Sequence, residues 1–307
     1  MIIAEVVRSG FVESRHHGSV VVLDAAGAVR DEVGDVTGPM FPRSSNKPLQ
    51  TVGMLRAGLV PADPVDLALI SGSHYGEPFH LSRVRAILTG AGLDESALRC
   101  PASLPLNEVA REAVLRAGGG PEKILMNCSG KHAGMLATCV ANGWPLDSYL
   151  DAAHPLQVAT ADTVAELADE PIAATGVDGC GAPVFAFSLT ALARSFQLLV
   201  EAAPSTPERQ VSDQMRAHPE LVAGTSAEDT VLMTAVPGLL SKGGAEGVVA
   251  VAVPGVGAVA LKIEDGAMRA RIPVLVSALR RLGVAAPPLE EPVLGGGSRV
   301  GEVRATW

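Results

Sequence analysis

The 307-residue chain is 48% hydrophobic and 19% charged, which is typical of a folded protein rather than a disordered one. Its net charge of −9, without any basic run, and its aromatic content of 3% argue against nucleic acid or an anionic membrane as the main partner. The longest uncharged run, residues 247–261, is too short for a transmembrane helix, which needs about 20 apolar residues. The N-terminus lacks a signal-peptide pattern and the four cysteines do not form a disulfide framework, so we expect a cytoplasmic protein with free thiols.

Turn signals and hydrophobic periodicity divide the chain into strands at both ends and helices between them. Strands are predicted at 2–7 and 18–23, with a short return strand after the turn at 24–27. Helices are predicted at 44–58, 79–91, 107–117, 129–142, 155–168, 185–202 and 207–218. A hairpin at 247–253 and 257–264, a helix at 270–283 and a tail rich in Pro and Gly, 285–307, complete the pattern.

This order predicts an α+β fold, in which an antiparallel sheet is built from both termini and carries a large helical insertion. We expect one domain over residues 1–307. Its sheet lobe would comprise residues 1–60 and 236–307, and its helical lobe residues 61–235.

The first stretch that could carry chemistry is Ser44-x-x-Lys47, at the start of the first predicted helix. Residues i and i+3 share one face of a helix, so the Lys47 amine could lie within hydrogen-bond reach of the Ser44 hydroxyl. A neutral lysine can act as the base that activates a serine nucleophile. A capping serine followed by a solvated lysine would give the same spacing without function.

Two further stretches place lysine or serine beside glycine. Ser73 and His74 lie in a Ser-Gly-Ser-His turn that could equally cap the next helix. Lys242 is followed by two glycines before the predicted hairpin, where a substrate could approach the backbone closely. An exposed lysine in a hairpin loop is the alternative interpretation.

Cys128 and Cys180 both lie in polar, glycine-rich segments, unlike the other two cysteines. Two thiolates, a third nitrogen or oxygen donor and a water would form a tetrahedral zinc site. A thiol at a helix start can also be a nucleophile, so Cys128 with His132 could instead form a cysteine amidohydrolase.

Five segments in one order resemble the L-asparaginase II family, the rhizobial-type or class 3 L-asparaginases: RSSNKP, SGSHYGEP, NCSGKHAGML, DGCGAPVFA and SKGGAEGV. The chain is more distantly similar to serine β-lactamases and the glutaminases related to them. The resemblance implies a β-lactamase-like fold, a homodimer, and hydrolysis of L-asparagine to L-aspartate and ammonia.

The resemblance also implies functional residues, which we name by their positions in this chain. Ser44 with Lys47 would form one catalytic pair and Ser73 with Lys242 a second, Lys262 being the alternative second lysine. A zinc ion that orients the substrate would be held by Cys128, Lys131 and Cys180 with water. The candidate substrate contacts are Arg43, His74, Asp178 and Gly243.

Two rival functions remain open at this point. A penicillin-interactive serine enzyme would use the same Ser-x-x-Lys chemistry, although its substrate lies outside the cytoplasm. A zinc-dependent small-molecule sensor on a hydrolase fold would bind without catalysis.

Overall fold

The computed structural model describes residues 1–287 and 289–307. Its strands are β1 (Ile2–Arg8), β2 (Phe11–Leu23), β3 (Val29–Val33), β4 (Pro39–Met40), β5 (Ala174–Val177), β6 (Pro183–Ser188), β7 (Leu240–Gly243), β8 (Val248–Val253), β9 (Gly257–Ile263), β10 (Glu291–Gly295) and β11 (Ser298–Ala305). Its α-helices are α1 (Lys47–Arg56), α2 (Asp66–Ile70), α3 (Pro78–Gly90), α4 (Glu108–Arg116), α5 (Ser129–Asn142), α6 (Pro155–Ala168), α7 (Leu189–Glu201), α8 (Pro207–Ala217), α9 (Pro219–Val222), α10 (Glu228–Ala235) and α11 (Arg271–Leu282). Short 3-10 turns occupy Arg43–Asn46, Glu95–Ala97 and Met268–Ala270.

The chain forms two compact units. The first, here called the sheet unit, comprises Met1–Ser45, Phe187–Glu201 and Val231–Trp307. The second, the helical unit, comprises Asn46–Ala186 and Ala202–Thr230. These bounds differ from those of the predicted lobes, since α7 belongs with the sheet and the division falls inside the Ser-x-x-Lys segment.

The sheet unit is built on an antiparallel sheet with strand order β10-β11-β1-β2-β9-β8-β7, and β3 also pairs with β2. Strands β1 and β2 therefore lie between β11 and β9, which come much later in the chain, and this confirms the predicted α+β arrangement. Every residue of β8 is buried. Because neighbouring side chains in a strand point to opposite faces, both faces of the sheet are covered at β8. Helices α7 and α11 both pack against β8 and β9.

Helix packing forms the core of the helical unit, where α1 contacts α5, α6 and α8. A glycine permits the close approach of α1 and α6: a Cβ atom on Gly53 would lie 3.1 Å from the Thr160 Cα atom. Helix α6 starts at a proline after His154, whose side chain accepts a hydrogen bond from the Leu156 N–H and so caps the helix. The short strand β5 pairs with the start of β6, from Val177 opposite Pro183 to Ala174 opposite Ala186.

One prediction of secondary structure is wrong, and two strands lie where none was predicted. Residues 185–188, predicted as the start of a helix, belong to strand β6, because a short, wholly apolar run does not distinguish a buried strand from a helix. The tail contains strands β10 and β11, and Pro288 within it lies outside the described residues. None of the helices in the described part of the chain combines the length and apolarity that crossing a lipid bilayer requires.

Candidate active site

Ser44 lies on a strained turn in the sheet unit. Arg43, directly before it, has a φ of 52°, in the left-handed region that non-glycine residues rarely occupy. Ser44 is partly exposed, whereas Ser45 is fully buried. The Ser45 hydroxyl donates a hydrogen bond of 2.8 Å to the Lys242 carbonyl oxygen, and this contact ties the turn to strand β7. Ser44 is therefore presented by an anchored turn, and the anchoring residue Ser45 was not predicted.

Lys242 is 1% exposed, and its amine donates to the Gly243 carbonyl oxygen at 2.6 Å. The two glycines that follow are required sterically. A Cβ atom on Gly243 would lie 2.8 Å from Nη1 of Arg271, and one on Gly244 would lie 2.6 Å from the Pro42 carbonyl oxygen. Buried Arg271 donates in turn to the Gly244 carbonyl oxygen at 3.0 Å. No local pattern in the sequence indicated Arg271, because its position depends on long-range packing.

Arg43 and Lys262 both interact with Glu246 in the sheet unit. Nη1 of Arg43 lies 3.7 Å from Oε1 of Glu246, and Glu246 also has a positive φ, of 58°. The Lys262 amine donates to the backbone oxygens of Glu246 and Ile263, at 2.7 and 2.8 Å. Partial burial lowers the pKa of Lys262.

Lys47 and Ser73 meet in the helical unit. Lys47 opens helix α1, is 1% exposed, and its amine lies 2.8 Å from the Ser73 hydroxyl oxygen and 2.5 Å from the Gly72 carbonyl oxygen. Ser73 is partly exposed. A neutral amine has two N–H bonds and one lone pair. Donation to these two oxygens would therefore leave the lone pair of Lys47 available to accept a proton.

His74 holds the Ser73 loop against the start of α5. The Ser129 hydroxyl donates to the Ile124 carbonyl oxygen, so it accepts from Nε2–H of His74, at 2.8 Å. The Gly76 N–H donates to Nδ1 of the same ring. Burial lowers the pKa of His74 well below its usual value, and the ring is neutral. Both ring nitrogens are thus engaged within the protein. A direct contact between His74 and substrate stays a prediction.

Cys128, Lys131 and Cys180 form a buried cluster in the helical unit. They are 4%, 1% and 1% exposed, and all four cysteines of the chain are free thiols. The Cys128 thiol donates to Oδ1 of Asn127 at 3.3 Å. The interaction between Cys128 and Cys180 raises the pKa of Cys128 and lowers that of Cys180, and the neighbouring Lys131 lowers the pKa of Cys180 further. Burial opposes the charged form of Lys131, but the two cysteines and Asp178 outweigh burial and raise its pKa. The structure therefore brings together the three residues that the sequence grouped.

The donor set of this cluster fits a soft divalent metal such as zinc. Two thiols in contact with each other are the ligands that zinc prefers, and metal binding can displace their protons. Nε2 of His132 is buried beside the cluster without a hydrogen-bond partner among the described residues. Within the same part of the chain, no three His, Cys, Asp or Glu side chains form a metal-binding group, so a metal here would need the Lys131 amine.

The described contacts do not form the predicted Cys128–His132 pair. Nδ1 of His132 lies 2.6 Å from the Tyr149 hydroxyl oxygen instead, and the pKa of the Cys128 thiol is raised, which favours its protonated form. Asp178 is partly exposed and accepts a hydrogen bond from the Gly179 N–H.

The chain is similar to several known proteins. The family model for L-asparaginase II matches residues 4–305, whereas no curated protein matches the sequence. The crystal structure of Mglu in its native form in the presence of 4.3M NaCl has 14% sequence identity and a TM-score of 0.51, over 92% of this chain and 62% of that one. Mglu in its glutamate form has 15% identity and a TM-score of 0.50, over 86% and 61% of the two chains.

A β-lactamase from Mycobacterium bovis has 15% identity and a TM-score of 0.43, over 86% of this chain and 94% of that one. The chain spans less than two thirds of the length of the Mglu structures, and at this identity the similarity to Mglu shows a shared fold alone. The L-asparaginase II model, in contrast, covers almost every residue. The chain therefore belongs to the L-asparaginase II family.

Proposed function

We propose that this protein is an amidohydrolase, an L-asparaginase that works through a serine–lysine acyl-enzyme. The observation that carries the proposal is the buried Lys47 amine, which contacts Ser73 at 2.8 Å and follows the partly exposed Ser44 by three residues. A lysine amine held by two neutral oxygens, and three residues after a serine, is placed to exchange protons with that serine.

In the first half of the reaction, neutral Lys47 accepts the proton of the Ser44 hydroxyl. The Ser44 oxygen attacks the side-chain amide carbon of asparagine, and backbone N–H groups stabilise the resulting oxyanion. The carbon–nitrogen bond then breaks. Protonated Lys47 returns its proton to the leaving nitrogen, so that ammonia departs and a β-aspartyl ester of Ser44 remains.

In the second half, water attacks the ester carbonyl carbon and gives a proton to Lys47. The bond between this carbon and the Ser44 oxygen breaks, the serine regains its proton, and L-aspartate leaves. Ser73 keeps the Lys47 amine in position throughout, through the contact described above. The pairing of Ser73 with Lys242 stays a prediction, as do substrate contacts from Arg43 and Gly243.

We also propose that Cys128, Lys131 and Cys180 hold one zinc ion. Two soft thiols and a buried amine within one cluster support this assignment. Bound zinc would supply a fixed positive charge that helps to orient the substrate. Metal analysis of untagged protein tests the site, with one zinc per chain expected and loss of zinc in a Cys128→Ser, Cys180→Ser double variant.

The decisive experiment measures ammonia release from L-asparagine, L-glutamine and a blank, with wild type, Ser44→Ala, Ser73→Ala and an exposed control, Ser82→Ala. We expect activity on asparagine, and a loss of about 10⁴-fold or more in kcat for Ser44→Ala. Ser82→Ala should retain full activity, since its hydroxyl lies on the surface of α3.

Acid-quenched wild type, digested and mass-mapped, should carry the acyl group on Ser44. An acyl group on Ser73 would make Ser73 the nucleophile and Lys47 its direct base. Ammonia release from glutamine alone would assign a different amide substrate. A homodimer, expected from the family resemblance, is tested by light scattering on the same sample.

A further inference from the structure

The turn at residues 42–45, here called the Ser44 turn, is closed by one backbone hydrogen bond. The Ser45 N–H donates to the Pro42 carbonyl oxygen at 3.1 Å, which places Ser44 in the middle of a tight turn. Gly244 covers this hydrogen bond, because a Cβ atom on Gly244 would lie 2.6 Å from the Pro42 oxygen and 3.1 Å from the Ser45 nitrogen. The position of Ser44 therefore depends on where the Gly244 backbone is held.

Arg271 holds the backbone at Gly244 through its guanidinium. Nη1 of Arg271 donates to the Gly244 carbonyl oxygen at 3.0 Å and to the Val248 carbonyl oxygen at 3.4 Å. The Gly244 N–H also donates to that Val248 oxygen, at 2.8 Å. One nitrogen of a buried side chain thus connects both ends of the turn from Gly244 to Val248, here called the 244–248 turn.

The same guanidinium explains why residue 243 is a glycine. A Cβ atom on Gly243 would lie 2.8 Å from Nη1 and 3.2 Å from Cζ of Arg271, so the guanidinium packs directly against the backbone of strand β7. Gly243 thus makes room for Arg271, whereas Gly244 makes room for the Ser44 turn. Arg271 is the first residue of helix α11, which packs against β8 and β9, so the guanidinium projects from a firmly packed helix.

We infer that Arg271 is a positioning residue that holds the 244–248 turn against the Ser44 turn and so keeps the Ser44 hydroxyl in its reactive position. For catalysis the inference rests on the function proposed above, in which Ser44 is the nucleophile. A guanidinium suits this role because all its polar atoms are donors and its planar shape fits flat against a glycine backbone. Misplacement of a reacting group by about 1 Å, caused away from the chemistry, can cost about 100-fold in rate.

The first test measures asparagine hydrolysis by wild type, Arg271→Met, Arg271→Lys and a matched control, Arg280→Met, at an exposed arginine of the same helix. Arg271→Met should lower kcat about 100-fold while KM stays within about 3-fold, since a displaced Ser44 impairs the reaction of bound substrate rather than its binding. Arg271→Lys should lower kcat only about 10-fold, because its amine keeps the charge and a donor but ends one bond short of Nη1. Arg280→Met should match wild type.

The second test needs no activity, because it measures amide hydrogen exchange by mass spectrometry in peptides from the two turns. Exchange of the Gly244 and Ser45 N–H groups should be about 10-fold faster or more in Arg271→Met, since the hydrogen bonds that these groups form lose their support. Exchange in helix α5, which lies in the helical unit, should be unchanged. This comparison separates a local change from a general loss of stability.

Several outcomes would overturn the inference. A folded Arg271→Met variant with wild-type kcat, or with unchanged exchange at Gly244, would do so. Equal acceleration of exchange in α5 would show that Arg271 stabilises the whole fold rather than this turn, and would overturn it as well. If Arg271→Met does not fold, Arg271→Lys decides in its place: a kcat lower by about 10-fold with faster exchange at Gly244 supports the inference, and wild-type values of both refute it.

The two tests also separate the inference from the function on which it rests. Wild type that hydrolyses no amide would refute the proposed function. The exchange data would then still show whether Arg271 holds the 244–248 turn against the Ser44 turn.

Discussion

Replacement of Lys47 by methionine should separate the contribution of this residue to catalysis from its contribution to stability. Lys47 is 1% exposed, donates to two neutral oxygens, and has no ion-pair partner among the residues that the structure describes. Burial of a neutral amine, the form that the proposed mechanism requires, costs about 1–3 kcal/mol of hydration free energy, and each hydrogen bond between neutral groups returns about 0.5–1.5 kcal/mol. Two such bonds therefore roughly balance the loss.

Methionine has a similar shape and needs no hydration, but it leaves the Gly72 carbonyl oxygen without a donor, at a cost of about 1–3 kcal/mol. We therefore expect the free energy of unfolding of Lys47→Met to lie within about 2 kcal/mol of the wild-type value. Asparagine hydrolysis should fall by about 10⁴-fold or more. The assay compares urea unfolding and ammonia release with those of Lys123→Met, at an exposed lysine where both should be unchanged.

Destabilisation of Lys47→Met by more than about 4 kcal/mol would show that the lysine is primarily a structural residue, because that cost exceeds the about 1–3 kcal/mol expected from one carbonyl oxygen left without a donor. Retained hydrolysis in a folded Lys47→Met variant would exclude Lys47 as the base.

Three further predictions concern packing and pH. Gly244→Ala should lower kcat about 100-fold and lower stability by about 1–3 kcal/mol, because its Cβ atom would displace the turn that carries Ser44; kinetics and thermal unfolding check this. Gly53→Ala should lower stability by about 1–3 kcal/mol in urea unfolding while kcat is unchanged, since its Cβ atom would press on Thr160. Burial raises the pKa of Cys139 from 9.0 to about 11, so the folded state keeps a proton that the unfolded state loses above pH 9. The free energy of unfolding should therefore fall between pH 9 and 11, and the fall should be less steep in Cys139→Ala. Urea unfolding across this pH range measures both.

Local signals in the sequence correctly predicted the helices and strands whose first and last residues are determined by residues nearby in the sequence. Helix α5 has the predicted bounds, 129–142, because a glycine-rich segment precedes it and Gly143 ends it in the left-handed conformation. Strand β6 was misread because its residues are all buried and show no alternation. Strand β11 was missed because its alternating pattern lies in a segment otherwise dominated by Pro and Gly.

The sequence predicted those parts of the candidate site in which the residue type itself indicates the chemistry, as cysteine does. The glycine-rich settings of Cys128 and Cys180 indicated a shared site, and the structure brings the two thiols into contact. The partner of His132 was not predictable from helical spacing, which suggested Cys128. The ring is instead oriented by Tyr149, a contact from outside the helix. Contacts between segments that are far apart in the sequence, such as Ser45 with Lys242, cannot be predicted from either segment alone.

The pairing of the first strand with the last constrains the order in which the chain can fold during synthesis. Ala4 lies opposite Ala305, and the rest of β1 pairs in sequence with β11. While the ribosome is still adding residues, β1 and β2 can pair with each other, but the other edge of β1 has no partner until β11 has been translated. The residues of the helical unit all precede residue 231 and are available well before that. The unpaired edge of β1 in the nascent sheet is thus a site at which the chain is exposed to aggregation, and β11 is the strand that covers it.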